Sequence, residues 1–303
     1  MRLPIVHHPA YVAPMPAGHR FPMGKFGRLM AYLLAERAVT PEQVHVPELA
    51  PREWLALAHA PAYVDAVLSQ GLDQAAVRRI GLPITTEVAA RSRAANGGTV
   101  LAARLALKHG LACNTAGGSH HAFAAFGSGF CVFNDVAVAA RVLLEEALVE
   151  RVLVVDLDVH QGDGTAAIFL DDPRVFTFSM HCRINFPLHK QTSDLDLALD
   201  AGLEDAPYLA LLAGHLPGLL DDVRPQLVFY NAGVDPHVDD RLGRLALTAQ
   251  GLRRRERLVL ETCLKAGVPV VGVIGGGYGA DLDQLAALHA ILHQVASELF
   301  ARL

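Results

Sequence analysis

Asp156, Asp158 and His160 fall at every second position where an apolar, β-branched run, Val152-Leu-Val-Val, gives way to the turn Gln161-Gly-Asp-Gly. Side chains alternate across an extended chain, so the spacing predicts all three on one face, opposite Leu157 and Val159. Burying two carboxylates and an imidazole at a strand end is costly unless a cation or polar partners lie between them. Ligand sites of open α/β sheets lie at that end. The plainer reading is that the aspartates only cap the turn, but a turn has no need of the histidine. Asp235 follows a second apolar run and would add another oxygen to Asp158 and His160. Three O/N ligands leave a coordination position open, as catalytic zinc sites do. A bound metal would polarise a carbonyl and acidify water. His120 and His121, in tandem behind the Gly117-Gly118 pair, are suited to carry protons. Each then needs a carboxylate on its other nitrogen, and Asp156 and Asp163 are free for that task. Tyr278, on the run Gly275-Gly-Gly-Tyr-Gly, could donate to an oxyanion opposite the metal. Together these parts describe metal-assisted hydrolysis of an amide.

Such residues need strands to carry them and helices to cover the strands. Apolar runs at 111–115, 152–158, 175–180, 226–232 and 268–274 predict strands, and residues 4–12 a short first one. Helical spacing marks 25–36, 61–69, 99–108, 135–147, 165–170 and 206–221. Thr248 is placed to cap a long helix that Gly267 ends, and Asp281 to cap a last one running to near Leu303. Residues 183–200 read as a loop, and the aromatic, glycine-rich stretch 123–130 as a pocket wall. The alternation predicts an α/β fold of three layers, a mostly parallel β-sheet with helices on both faces. Polar clusters directly after four of the strands suit one site on the C-terminal edge of a single domain, 1–303.

Composition narrows the classes further. Hydrophobic residues make up 52% of the 303 and charged ones 19%, enough for a large core. A net charge of −5 gives no electrostatic case for binding nucleic acid or an anionic membrane. The arginines at 253, 254, 255 and 257 read as the solvated face of a helix. Four scattered cysteines without a Cys-x-x-Cys pair argue against a disulfide framework and fit a reducing compartment. With neither an apolar signal core nor a membrane-length apolar run, the expected location is the cytoplasm.

Five motifs in order then give the chain a specific likeness. Gly117-Gly-Ser-His-His-Ala, Gly129-Phe-Cys-Val-Phe-Asn-Asp, Asp156-Leu-Asp-Val-His-Gln-Gly-Asp-Gly, Asn231-Ala-Gly-Val-Asp and Gly275-Gly-Gly-Tyr resemble the zinc-dependent histone deacetylase superfamily across nearly the whole chain. That superfamily shares its fold with the arginases, which normally carry additional metal-binding aspartates and lack this tandem-His and Gly-Tyr pair. The resemblance implies that Asp158, His160 and Asp235 bind zinc, with iron(II) as the alternative in the cell. It implies His121, oriented by Asp163, as general base and then acid, His120, oriented by Asp156, as electrostatic partner, and Tyr278 as oxyanion donor. Phe130 and Phe186 would flank the tunnel for a lysine-like arm, and the Gly129 carbonyl would accept the substrate amide. A structural potassium site is implied on Asp156, Asp158, His160, Ser179 and the Met180 carbonyl, with a second cation near Phe169 and Val175.

The likeness has departures. Lys25 stands where many members place an arginine near an acetate-release channel, a wording closer to class IV deacetylases and their bacterial relatives. The rim aspartate that grips the substrate backbone in class I enzymes has no obvious counterpart among residues 70–95. The expected substrate is an acyl-lysine protein or peptide, with an acetylpolyamine or other small acylated amine as alternative. A catalytically silent binding module would not need the complete polar set. A nucleotide-binding fold would need a Gly-x-Gly-x-x-Gly that the 275–279 run does not supply.

Overall fold

A computed structural model describes residues 2–302; Met1 and Leu303, the ends of the expected domain, lie outside it. Its strands are β1 (Ile5–Val6), β2 (Val44–His45), β3 (Leu111–Asn114), β4 (Val152–Asp156), β5 (Val175–Cys182), β6 (Leu195–Leu199), β7 (Leu227–Asn231) and β8 (Val270–Val273). They form one sheet in the order β2-β1-β3-β8-β7-β4-β5-β6. Every pairing is parallel, so the sheet is wholly rather than mostly parallel. The central strands β3, β4, β7 and β8 are buried at every residue, as strands covered on both faces must be.

The helices are α1 (Lys25–Ala35), α2 (Arg52–Ala58), α3 (Pro61–Leu68), α4 (Gln74–Ile80), α5 (Thr86–His109), α6 (Asp135–Glu145), α7 (Asp163–Phe169), α8 (Asp205–Val223), α9 (Ala249–Lys265) and α10 (Leu282–Phe300). One layer runs α1, α10, α9, α8, each packed on the next; in the other, α5 lies on α6, and α6 on α2 and α7. The predicted caps form: Thr248 Oγ1 accepts from the Gly251 N–H at 3.0 Å, and Asp281 from Asp283 and Gln284. No helix among the described residues is long and apolar enough to cross a membrane.

Several elements differ from the sequence expectation, each for a local reason. The helix expected at 99–108 begins at Thr86, because Gly97 and Gly98 and the polar Arg91, Ser92 and Asn96 hide its earlier turns. Those glycines cost about 1 kcal/mol each in a helix, but another chain crosses here. A Cβ on Gly97 would lie 1.9 Å from the Glu48 carbonyl oxygen, and one on Gly98 2.1 Å from the Tyr11 hydroxyl. The 183–200 loop contains the edge strand β6, whose alternating Leu-Asp-Leu-Ala-Leu is only half-buried. The first strand is just two residues, because Pro9 turns the chain into a 3-10 helix. Arg255 corrects the reading of the basic cluster: it is fully buried, bonded to Glu256 at 2.7 Å and to the Leu157 carbonyl at 3.1 Å.

Candidate active site and metal centre

β4 ends at Asp156, so the expected alternation does not carry Asp158 and His160 to one face. A turn does. The Asp158 N–H donates to Asp156 Oδ1 at 3.2 Å, and the His160 N–H to Asp158 Oδ1 at 3.0 Å. Each carboxylate therefore caps the turn and also faces the site, which joins the two readings of the sequence. The second oxygen of Asp156 faces His120 Nδ1 at 2.7 Å, while Asn231 Nδ2 donates to its first at 2.9 Å. The second oxygen of Asp158 accepts the Gly276 N–H at 2.7 Å.

β7 runs beside β4 and delivers Asp235 to the same edge. His160 Nδ1 stands 3.0 Å from Asp158 Oδ1 and 3.1 Å from Asp235 Oδ2. The three residues are buried, and one ligand atom from each lies within 4.8 Å of the other two. Donors about 2.0–2.1 Å from a tetrahedral zinc sit roughly 3.3 Å apart, so this spacing fits such an ion. Electrostatics point the same way. Burial and the Asp158 carboxylate push Asp235 up to about 7, and the two carboxylates lift His160 to about 10 against burial. The cluster is short of positive charge. Backbone seals it on one side: a Cβ on Gly276 would lie 2.1 Å from Asp235 Oδ2.

The tandem histidines approach from the loop after β3. Gly118 turns there with φ +80°, and a Cβ would fall 2.5 Å from the Asn231 side-chain oxygen. Asp135, at the start of α6, holds the loop by accepting the Gly118 and Ser119 N–H groups at 3.2 and 2.8 Å. His121 Nδ1 lies 2.6 Å from Asp163 Oδ1, so both histidines have the carboxylate expected for them. Their charges diverge. Burial and the neighbouring His120 hold His121 down to about 4, whereas Asp156 and Asp158 outweigh burial and lift His120 to about 9. Tyr278 is oriented through its backbone, whose N–H donates to Asp240 Oδ2 at 2.7 Å. Burial, then Asp158 and Asp235, keep its phenol protonated and a donor.

Above these groups opens a cavity of about 380 Å³ with His121, His160 and Tyr278 among its lining. Gly129 and Phe130, both at positive φ, form one wall, and Phe186 the other, its ring centroid 4.8 Å from that of His121. Ser179 and Met180 lie on β5, where Ser179 pairs in register with Asp156. Phe169 ends α7 and Val175 opens β5; here the Arg141 guanidinium lies 5.0 Å from the Phe169 ring centroid. Every predicted site residue other than Phe169 and Val175 thus gathers on one edge of the sheet.

The site has other contributors, of which the sequence singles out only Lys25. Lys25 is buried beneath Tyr278, donating to the Gly275 carbonyl at 2.9 Å, and burial lowers it to about 8. Arg91 lies with it on a small cavity of about 30 Å³ that also touches His120, Asp158 and Tyr278. Asp240 and Arg91 carry no motif, and only the fold brings them here.

The Histone deacetylase domain family matches residues 19–294 of the chain. An uncharacterized protein of Picosynechococcus sp. is 58% identical over 300 residues, 99% of this chain and 100% of that one. Histone deacetylase 2 of Arabidopsis thaliana is 30% identical over 273 residues, which are 86% of this chain and 70% of that protein. The crystal structure of an HDAC homolog complexed with SAHA superposes with a TM-score of 0.83 at 24% identity, over 99% of this chain and 84% of that one. This last likeness bears on the fold.

Proposed function

The chain belongs to the histone deacetylase family, and from that membership we propose that it hydrolyses N-acyl amides, removing an acetyl group from a lysine side chain or similar amine. One observation carries the reading: two carboxylate-bound histidines, a three-ligand cluster and a protonated tyrosine sit together, and His121, His160 and Tyr278 of that group line a single cavity. A divalent ion on Asp158, His160 and Asp235, zinc or else iron(II), would polarise the acyl carbonyl and acidify the attacking water.

The chain's own residues supply the rest. A proton shared between His121 Nδ1 and Asp163 leaves Nε2 as the acceptor, and a histidine held neutral is ready to act as a base. It takes the proton as water oxygen bonds to the acyl carbon, then passes one to the nitrogen as the C–N bond breaks. The products are a carboxylate and an ammonium ion, the second water proton passing to the amine as it leaves. His120, paired with Asp156 and cationic, stabilises the negative charge that builds on the carbonyl oxygen. Tyr278 donates to that oxygen from across the cavity. Phe130, Phe186 and the Gly129 carbonyl would hold the substrate arm. Potassium on Asp156, Asp158, His160, Ser179 and Met180 would brace the strand ends.

The acyl end has little space. The cavity beneath Tyr278 is only about 30 Å³, with Lys25 and Arg91 beside Phe21, Phe26 and Phe130 in its lining, so its volume suits acetyl and opposes a long aliphatic chain. The zinc-loaded protein is expected to hydrolyse acetyl-lysine peptides and to lose that activity on chelation. Across a series from acetyl to long-chain fatty acyl, turnover should fall as the chain lengthens. Preference for long chains would overturn the acyl assignment. No turnover on any acylated peptide or amine by folded, metal-loaded protein would overturn the function.

A further inference from the structure

The mouth of the cavity is ringed with arginines. Arg20, Arg78, Arg79 and Arg244 all line it, and no aspartate or glutamate does. They come from three separate segments: the loop before α1, the last turn of α4, and the loop before α9. Two of the segments are tied to each other and to the Phe130 wall: His19 Nε2 stands 3.0 Å from the Gly81 carbonyl oxygen, and the Phe130 N–H donates to the Ile80 carbonyl at 2.7 Å; the Arg244 carbonyl is held by the Gly202 N–H at 2.7 Å. Aromatic rings steady two of the guanidiniums, Arg20 lying 4.9 Å from the Phe130 centroid and Arg79 4.8 Å from that of Phe126.

None of the four forms an ion pair among the described residues, although Arg28, Arg52, Arg104, Arg174 and Arg183 all do elsewhere on the surface. Single exposed arginines are unremarkable. Four that converge unpaired on one opening, in a chain of net charge −5, concentrate positive potential where the substrate must enter. The planar guanidinium fork matches carboxylate and phosphate oxygens. Ile184 and Phe186 offer an apolar wall along which the uncharged methylene arm would pass.

We infer that the substrate carries oxyanions beside the scissile amide, so that the arginine rim selects an acylated amine set among carboxylates or phosphates. This rests on the deacylase reading above and narrows it. Polycationic substrates such as acetylated polyamines are repelled by the same rim.

The test compares acetyl-lysine peptides of one length flanked by glutamate, phosphoserine, glutamine or lysine, with Nε-acetyl-lysine and N-acetylspermidine beside them. At low salt kcat/KM should favour the glutamate-flanked over the lysine-flanked peptide by about tenfold or more, and the ratio should contract in 0.5 M salt. Preference for the phosphoserine peptide would identify phosphate as the better oxyanion. Preference for free Nε-acetyl-lysine would place the charge on a small molecule. The Arg78→Gln/Arg79→Gln variant should shrink the glutamate-to-lysine ratio, and Arg78→Glu/Arg79→Glu should reverse it. Arg174→Gln, remote and paired with Asp172, should leave it alone. Anisotropy with the same peptides, fluorescently labelled, reads the preference without turnover. Tighter binding of the acidic peptide with no hydrolysis would uphold the charge selection and remove the deacylase reading. Equal or better use of the lysine-flanked peptide or N-acetylspermidine at low salt would overturn the inference while leaving the deacylase reading intact.

Discussion

Tyr278→Phe is expected to fold like the parent protein and to lose roughly 10²–10³ in kcat on an acetyl-lysine peptide, the usual cost of one oxyanion donor. The substitution removes only the hydroxyl. The ring would keep its neighbours, with Phe130 at 5.9 Å, His160 at 6.1 Å and Phe21 at 6.4 Å between centroids. The Tyr278 N–H bond to Asp240 is a backbone contact and survives as well. In the proposed reaction the Tyr278 hydroxyl would face charge that develops as water adds, so kcat should fall and KM change little. Stopped assays over the acetyl-lysine concentration range, with a melting curve on each protein, separate the cases. A folded variant with near-full kcat would remove Tyr278 from the chemistry. Loss confined to KM would make it a ground-state contact.

Much of this site was legible because it is written in contiguous motifs. Each of Asp158, His160, Asp235, His120, His121 and Tyr278 lies in the loop that follows a strand, and a parallel sheet brings all its C-terminal ends to one edge. The strand ends were therefore enough, even though the turn after Asp156 replaced the expected extended chain. What escaped depends on distant approach. Gly97 and Gly98 look like helix breakers until the Glu48 carbonyl and the Tyr11 hydroxyl are seen against them. Arg78 and Arg79 look like an ordinary polar helix end until α4 meets the Phe130 loop through the Ile80 carbonyl. A sequence carries the residue types of such contacts but not their partners.

Arg255 is the plainest case, because four nearby arginines on a helix predict solvent, and one of them is fully buried. Helical phase explains the split. Arg253 and Arg257, four apart on α9, share one face and pair with Glu298 of α10, whereas Arg255 points under the site. There Arg255 bonds Glu256 at 2.7 Å and the Leu157 carbonyl at 3.1 Å, and Tyr230 donates to the other Glu256 oxygen. Leu157 lies between Asp156 and Asp158, so a buried cation braces the turn that carries the candidate ligands. Glu256→Leu strands that cation without a counter-charge. Breaking one side of a buried pair costs about 3–5 kcal/mol, and the melting temperature should fall by on the order of 10 °C. Removing both charges is different, because well-packed apolar residues can replace a buried pair at little cost. Arg255→Met/Glu256→Leu should therefore recover more than half of the lost stability in urea titrations. It should not recover full metal affinity, since the bond to the Leu157 carbonyl is gone. A single variant as stable as the parent, or a double variant no better than the single, would show that the pair does not hold this layer together.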